Sequence, residues 1–84
     1  MQLFYTPSAL KDLASVPKRD RAIIADKLDL YVEHTDPLVF AQPLAGHHGF
    51  FRYRIAYWRV IVEPRDDCLI VHVVDCRNRV DRSL

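Results

Sequence analysis

Arginines in the C-terminal half of the chain are the residues best suited to chemistry. Residues 50–62 read FFRYRIAYWRVIV, in which cationic and apolar residues alternate with the two-residue period of a half-buried strand. Arg52 and Arg54 therefore share one face of the strand, and the apolar residues between them share the other. A guanidinium is planar, always charged, and able to hold phosphate through two parallel hydrogen bonds. The spacing predicts an exposed sheet face that binds an anion.

A hairpin aligns these arginines with another that follows in the sequence. If Ala56 and Tyr57 form a two-residue turn, Arg54 lies opposite Arg59 on the neighbouring strand. The apolar residues then pair on the other face, as Ile55 with Trp58, Tyr53 with Val60, and Phe51 with Val62. The hairpin predicts that two arginines face each other on the exposed side.

A second turn, predicted at residues 64–67, brings in a histidine. With Glu63 opposite Cys68, the next strand places His72 opposite Arg59, which completes a row of Arg54, Arg59 and His72. The same register directs three apolar residues to the core: Leu69, Val71 and Val73. Facing like charges on neighbouring strands cost roughly 0.2–1 kcal/mol, so a sheet that keeps them indicates an anionic partner, with phosphate the first candidate.

The N-terminal half supplies helices to cover the other face of this sheet. Residues 2–5 predict a short strand at or near a sheet edge, and Thr6 followed by Pro7 predicts the start of a short helix. After Pro17, a longer helix is predicted from Lys18 to about His34. Its apolar stripe comprises Ile24, Leu28 and Tyr31, broadened by Ile23 and Leu30.

The segment from residue 35 to residue 49 is predicted to be the main irregular connection. It contains both glycines and two of the five prolines, while four apolar residues within it are predicted to pack on the helices: Leu38, Val39, Phe40 and Leu44. The predicted order is β-α-α-β-β-β. This is an α+β fold in which a helical hairpin packs on one face of a mainly antiparallel four-stranded sheet.

Composition limits the classes of function. The 84 residues predict a single domain over 1–84 with a net charge of +1, yet residues 46–84 contain seven arginines and no lysine against five acids. So small a total argues against strong non-specific nucleic-acid binding. Two cysteines outside any CxxC spacing predict neither a disulfide framework nor a zinc site, and His47 and His48 point apart in extended chain. We therefore expect no metal, no cofactor, no export signal and no membrane span.

Taken together, three stretches resemble the RelE/ParE toxins of bacterial type II toxin-antitoxin systems. PSALKDLASVPKRDRAIIADKL resembles the helical hairpin, PLAGHHGFFRYRIAYWRVIV the arginine-rich strands, and VHVVDCRNRVDR the closing strand and tail. The resemblance covers nearly the whole chain. It implies a toxin in the bacterial cytoplasm that is held inactive by a cognate antitoxin, with a toxin-antitoxin heterotetramer as one possible assembly.

For RelE-type members, the resemblance implies metal-independent cleavage of mRNA on the ribosome, in which a ribose 2′-hydroxyl attacks the adjacent phosphate. This reaction needs a proton acceptor, a proton donor and positive charge on the phosphorane. By resemblance Arg54, Arg59 and Arg77 supply the charge, and Arg52 contacts the RNA. His72 is the best available titrating group. Phe50, which can stack on a base, and Arg79 in the tail complete the predicted RNA contacts.

The sequence departs from the nuclease pattern near its C-terminus. Many nuclease members have His-Arg followed by Tyr, whereas here Cys76 precedes Arg77 and Asp81 stands where the Tyr is expected. A ParE-like inhibitor of DNA gyrase and a non-toxic relative that binds antitoxin or regulates its operon are therefore the alternatives. Structural ion pairing of Arg54 or Arg59, with Asp75 or Asp81 as partner, is the alternative to phosphate binding.

Overall fold

The computed structural model describes residues 1–76, which form two helices and a five-stranded sheet. The elements are β1 (Gln2–Tyr5), α1 (Pro7–Ala14), α2 (Lys18–Glu33), β2 (Gln42–Pro43), β3 (Phe51–Ile55), β4 (Trp58–Arg65) and β5 (Cys68–Cys76). The sheet order is β1-β5-β4-β3-β2; β1 runs parallel to β5, and every other neighbouring pair is antiparallel. The predicted α+β class and helical hairpin are confirmed.

The predicted strand count was one too low. The extra strand, β2, lies within the segment predicted to be irregular, and its two residues pair with β3 through Gln42 opposite Arg52 and Pro43 opposite Phe51. A two-residue strand is too short to carry a periodic pattern, so alternation could not reveal it.

Both helices begin where the sequence predicts. The Thr6 hydroxyl accepts a hydrogen bond from the Ala9 backbone N–H at 3.0 Å, which caps α1, and Pro7 occupies the first turn where its missing N–H costs nothing. After the break at Pro17, α2 runs to Glu33 with His34 as its C-cap. The proline therefore divides the helical layer into two rods.

One part of the α2 prediction was wrong. Ile24 and Leu28 are fully buried, but Ile23 and Leu30 are 38% and 60% exposed. Successive residues of an α-helix are rotated by about 100°, so these two side chains lie roughly 100–120° away from Ile24 around the helix. The buried stripe is therefore narrower than predicted.

The core lies between the helices and one face of the sheet. Tyr53, Val60, Val62, Leu69 and Val71 are fully buried there against Ala9, Ile24 and Leu28 from the helices. In the connecting segment, Leu38 packs on this core and Phe40 stacks on Tyr31 of α2 with ring centroids 5.0 Å apart. Val39, also predicted to pack, is 54% exposed.

The two hairpins differ in how well they were predicted. All four predicted pairs between β3 and β4 are present, including Arg54 opposite Arg59, and Ala56 in the turn has a φ of 54°. Between β4 and β5 the predicted register is wrong. The turn is shorter, with Arg65 opposite Cys68, and a bulge between Ile61 and Val62 shifts the register again.

Asp75, and not His72, is therefore the residue opposite Arg59. Val73 pairs with Ile61, and Val74 takes the buried position that was predicted for Val73.

None of the helices among residues 1–76 is both long and apolar enough to cross a membrane.

Candidate anion-binding site

The face of the sheet that points away from the helices carries the predicted cationic residues. Because Tyr53 and Ile55 are buried in the core, the residues that alternate with them, Arg52 and Arg54, lie on the opposite side of β3. We call this side the open face. Across the three central strands, one row of the open face consists of Arg54, Arg59 and Asp75.

Arg59 is held by a carboxylate on the neighbouring strand. Its Nε donates to Asp75 Oδ1 at 3.0 Å, and its Nη2 donates to Asp75 Oδ2 at 2.8 Å. The hydrogen bond to Asp75 raises the pKa of Arg59, while burial acts in the opposite direction. The ion pair that is the alternative to phosphate binding by Arg59 is therefore present, and it engages two of the five guanidinium N–H bonds.

Arg54, in contrast, has no carboxylate partner among the described residues. It is exposed, it faces Arg59, and within residues 1–76 it has neither a hydrogen-bond nor an ion-pair partner. The two arginines together with Asp75 leave a net positive charge in this row. A surface anion is the group that would relieve the repulsion between the two arginines.

Arg52 lies in the next row, opposite Ile61. Its Nη2 donates to Gln42 Oε1 on β2 at 2.5 Å, whereas its Nε is buried and has no partner among the described residues. A buried donor without an acceptor is uncommon in folded proteins. The short strand β2 thus orients one arginine of the open face.

His72 lies apart from the arginine pair, contrary to the prediction. Its Nε2 is 2.9 Å from Glu63 Oε1, and its ring centroid is 5.2 Å from that of Phe50, at an interplanar angle of 56°. Glu63 is four residues along β4 from Arg59, which corresponds to roughly 13 Å at the rise of an antiparallel strand. The rings of Phe50 and His72 are therefore in contact, and both residues lie away from Arg59.

The remaining predicted site residues, Arg77 and Arg79, lie outside the described residues. Glu63 was not predicted to belong to the site, although the β3–β4 register would place it opposite Phe50 if extended by one pair. Within residues 1–76, no group of three or more His, Cys, Asp or Glu side chains could hold a metal ion.

Contacts behind the open face hold β5 in place. Asp12 of α1 accepts a hydrogen bond from the Val74 backbone N–H through Oδ2 at 3.0 Å, next to the residue that holds Arg59. At the start of β4, Trp58 Nε1 donates to Asp20 Oδ2 of α2 at 3.1 Å. Each helix therefore fixes one of the strands that carry the Arg59–Asp75 pair.

Comparison with known proteins places the chain in a toxin family. The family model described as "ParE toxin of type II toxin-antitoxin system, parDE" matches residues 3–81. No curated protein matches the sequence significantly.

Among solved structures, the fold is similar to those of several toxin-antitoxin complexes. The RelBE2 complex of Mycobacterium tuberculosis matches with a TM-score of 0.75 and 26% identity over 90% of each chain. The intact RelBE complex of E. coli matches with a TM-score of 0.76 and 20% identity, over 89% of this chain and 94% of that chain. The RelB-RelE complex of Methanococcus jannaschii gives a TM-score of 0.75 and 19% identity, over 96% and 98%. At these identities, the E. coli and M. jannaschii matches support the fold alone.

Proposed function

The chain belongs to the ParE toxin family of type II toxin-antitoxin systems, and on that premise we propose that it cleaves mRNA on the ribosome without a metal ion. It is a toxin of the RelBE/ParDE type. The observation that carries the nuclease proposal is the pairing of Arg54 with Arg59 on the open face, where a phosphate group can approach both side chains.

The two arginines suit the electrostatic part of this reaction. When the 2′-hydroxyl attacks the adjacent phosphate, negative charge grows on the non-bridging oxygens of the phosphorane. Fixed donors aimed at such charge contribute more than any other single effect in many enzymes, and loss of one donor costs roughly 10²–10³ in rate. Arg54 and Arg59 act in this way, with Arg77, from the sequence prediction, as the third cation.

The other residues of the open face contact the flanking RNA. Arg52, in the row beside the arginine pair, suits a neighbouring phosphate, and its buried Nε needs an acceptor. Phe50 and His72 form a small aromatic surface on which a base can stack. Because His72 contacts Glu63, which lies roughly 13 Å along β4 from Arg59, it suits a flanking nucleotide better than the reacting one, and its part in proton transfer stays a prediction.

A second candidate function is inhibition of DNA gyrase by contact alone. The position of His72 favours it, because among residues 1–76 no histidine stands beside the arginine pair to move a proton. In that case Arg54 and Arg59 would pair with carboxylates of the target protein, and no bond would be cleaved.

A cognate antitoxin is the partner that we propose for the inactive toxin in the bacterial cytoplasm. The solved structures similar to this chain include complexes of toxin with antitoxin. The open face carries Phe4, which is 52% exposed, and its half-buried neighbour Ile70 on the same sheet that presents Arg54. A segment with apolar and acidic residues would cover both kinds of surface.

Induced expression followed by mapping of mRNA 5′ ends tests the nuclease proposal. We expect cuts at fixed positions within codons, confined to translated messages, and their loss in the Arg59→Ala variant. Inhibited supercoiling with double-strand breaks and uncut messages would instead support gyrase as the target. Normal growth with neither effect would contradict both.

A further inference from the structure

Asp75 engages only one edge of the Arg59 guanidinium. The carboxylate binds Nε and one N–H of Nη2, so three of the five guanidinium N–H bonds have no partner among residues 1–76. The Asp75 side chain is 15% exposed and that of Arg59 is 33% exposed. The carboxylate is thus the more enclosed member of the pair, and the guanidinium is the member that a ligand can reach.

The position of Asp75 in the row accounts for the stable placement of Arg59. Arg54 faces Arg59 from β3, and Asp75 faces it from β5 on the other side. Without Asp75, repulsion from Arg54 would favour a displaced Arg59 side chain that points into solvent. With Asp75 present, two hydrogen bonds fix the plane of the guanidinium, which lowers the conformational cost of binding a phosphate.

We propose that Asp75 is a positioning residue that holds Arg59 so that the free end of its guanidinium, with one N–H from Nη1 and one from Nη2, binds the same phosphate group as Arg54. The expected effect on cleavage rests on the proposed function. Phosphate binding by Arg54 and Arg59 does not, and it can be measured by itself. Asp75 touches Arg59 and not the substrate, and it acts only through that arginine.

The first experiment measures phosphate binding by the two arginines in the absence of RNA cleavage. Isotope-labelled toxin is titrated with inorganic phosphate while the side-chain Nε–H signals of Arg54 and Arg59 are followed by NMR. In the wild type we expect both signals to shift with one shared dissociation constant. In Asp75→Asn we expect the Arg54 signal to keep responding and the Arg59 signal to broaden or lose its response. Asp26→Asn is the matched control, since it removes the same charge from an exposed position on α2.

The second experiment measures cleavage of ribosome-bound mRNA. Misplacement of a reacting or stabilising group by about 1 Å can cost up to 10²-fold in rate, so we expect kcat to fall roughly tenfold to a hundredfold in Asp75→Asn. KM should change far less, because Arg54 still attracts the RNA. In an Arg59→Lys background, Asp75→Asn should cause no further loss.

The results distinguish the positioning role of Asp75 from the proposed nuclease function. An Arg59 signal that still shifts with phosphate in Asp75→Asn, or a kcat equal to that of the wild type, overturns the positioning role, as does a full additional loss in the Arg59→Lys background. If the wild type binds phosphate through both arginines but cuts no message, the proposed function fails and the positioning role stands. If Asp75→Asn does not fold, Asp75→Glu decides, because it keeps the charge, displaces the carboxylate, and should also lower kcat.

Discussion

Arg54 and Arg59 face one another on the open face, yet within residues 1–76 only Arg59 has a carboxylate partner. Arg59 is tied to Asp75 through two hydrogen bonds, whereas Arg54 is exposed and unpartnered within residues 1–76. A tied arginine contributes to structure as well as to binding, so its replacement affects both. An unpartnered arginine contributes little to structure, and its replacement therefore reports on function.

Replacement of Arg54 by alanine should separate activity from stability. Under the proposed function we expect the rate of mRNA cleavage to fall roughly 10²–10³-fold, because the proposal makes Arg54 a fixed donor to the phosphorane. We expect the free energy of unfolding to change by no more than about 0.5 kcal/mol, since exposed positions away from special features tolerate substitution. Cleavage assays together with urea unfolding check both expectations.

Arg65→Ala is the matched control for this prediction. Arg65 is an exposed arginine at the end of β4, outside the arginine pair, and its loss changes the net charge by the same amount. Equal losses of cleavage in the two variants would mean that the arginines attract RNA through overall charge alone, and that Arg54 has no specific part.

At the scale of elements, β4 explains why one hairpin was predictable and the other was not. Alternating residues and a two-residue turn determine the β3–β4 register, so Arg54 opposite Arg59 followed from the sequence. Pro64 begins the predicted turn at residues 64–67, and proline is rarely found inside a central strand. In the structure, β3 pairs with β4 only as far as Val62, so one side of β4 is an edge at Pro64 and the proline is tolerated there.

The bulge in β5 had no comparable signal. An extra residue near His72 leaves the local composition of a strand unchanged, but it exchanges the residue that faces Arg59. The pairing of Arg54 with Arg59 was therefore predictable from alternation and a two-residue turn. The carboxylate partner of Arg59 depended on the β4–β5 register, which a shorter turn and a bulge both shift, and so the predicted placement of His72 was wrong.

Asp12 is the contact through which α1 fixes this strand, and its removal should be costly. Asp12→Ala leaves the Val74 N–H without an acceptor on a residue that is only 4% exposed. A hydrogen bond to a charged group contributes roughly 1.5–3 kcal/mol, so we expect the free energy of unfolding to fall by about that amount. Thermal unfolding measures it, and Asp26→Ala, an exposed helix position, is the control. A melting temperature equal to that of the control would mean that water replaces Asp12.

At the scale of the whole molecule, the helical layer and the connecting segment meet the sheet at Tyr53. This residue is fully buried, its ring stacks on Tyr31 of α2 at 4.6 Å, and its hydroxyl donates to the Pro37 carbonyl oxygen at 2.5 Å. Burial, followed by the nearby Tyr31 and Asp36, raises the pKa of Tyr53 from 10.0 to about 12. The folded state thus favours the neutral phenol more strongly than the unfolded chain does.

This pKa difference predicts a loss of stability at high pH. Below pH 10 the phenol is neutral in both states, and the stabilisation is fully present. Between pH 10 and about 12 the unfolded chain ionises while folded Tyr53 keeps its proton, so the free energy of unfolding falls by up to about 1.4 kcal/mol per pH unit.

Urea unfolding of Tyr53→Phe from pH 7 to pH 11.5 tests this reasoning. The variant should be about 1 kcal/mol less stable near neutral pH, because the hydrogen bond to Pro37 is lost, and it should lose less stability than the wild type above pH 10. Some decline should remain, because the pKa values of Tyr5 and Tyr31 are also raised, chiefly by burial. Tyr57→Phe, at a 66% exposed turn position, should keep the wild-type dependence. Parallel curves for wild type and Tyr53→Phe would mean that Tyr53 ionises in the folded protein as it does in water, and that the junction of helix, sheet and connecting segment opens to solvent.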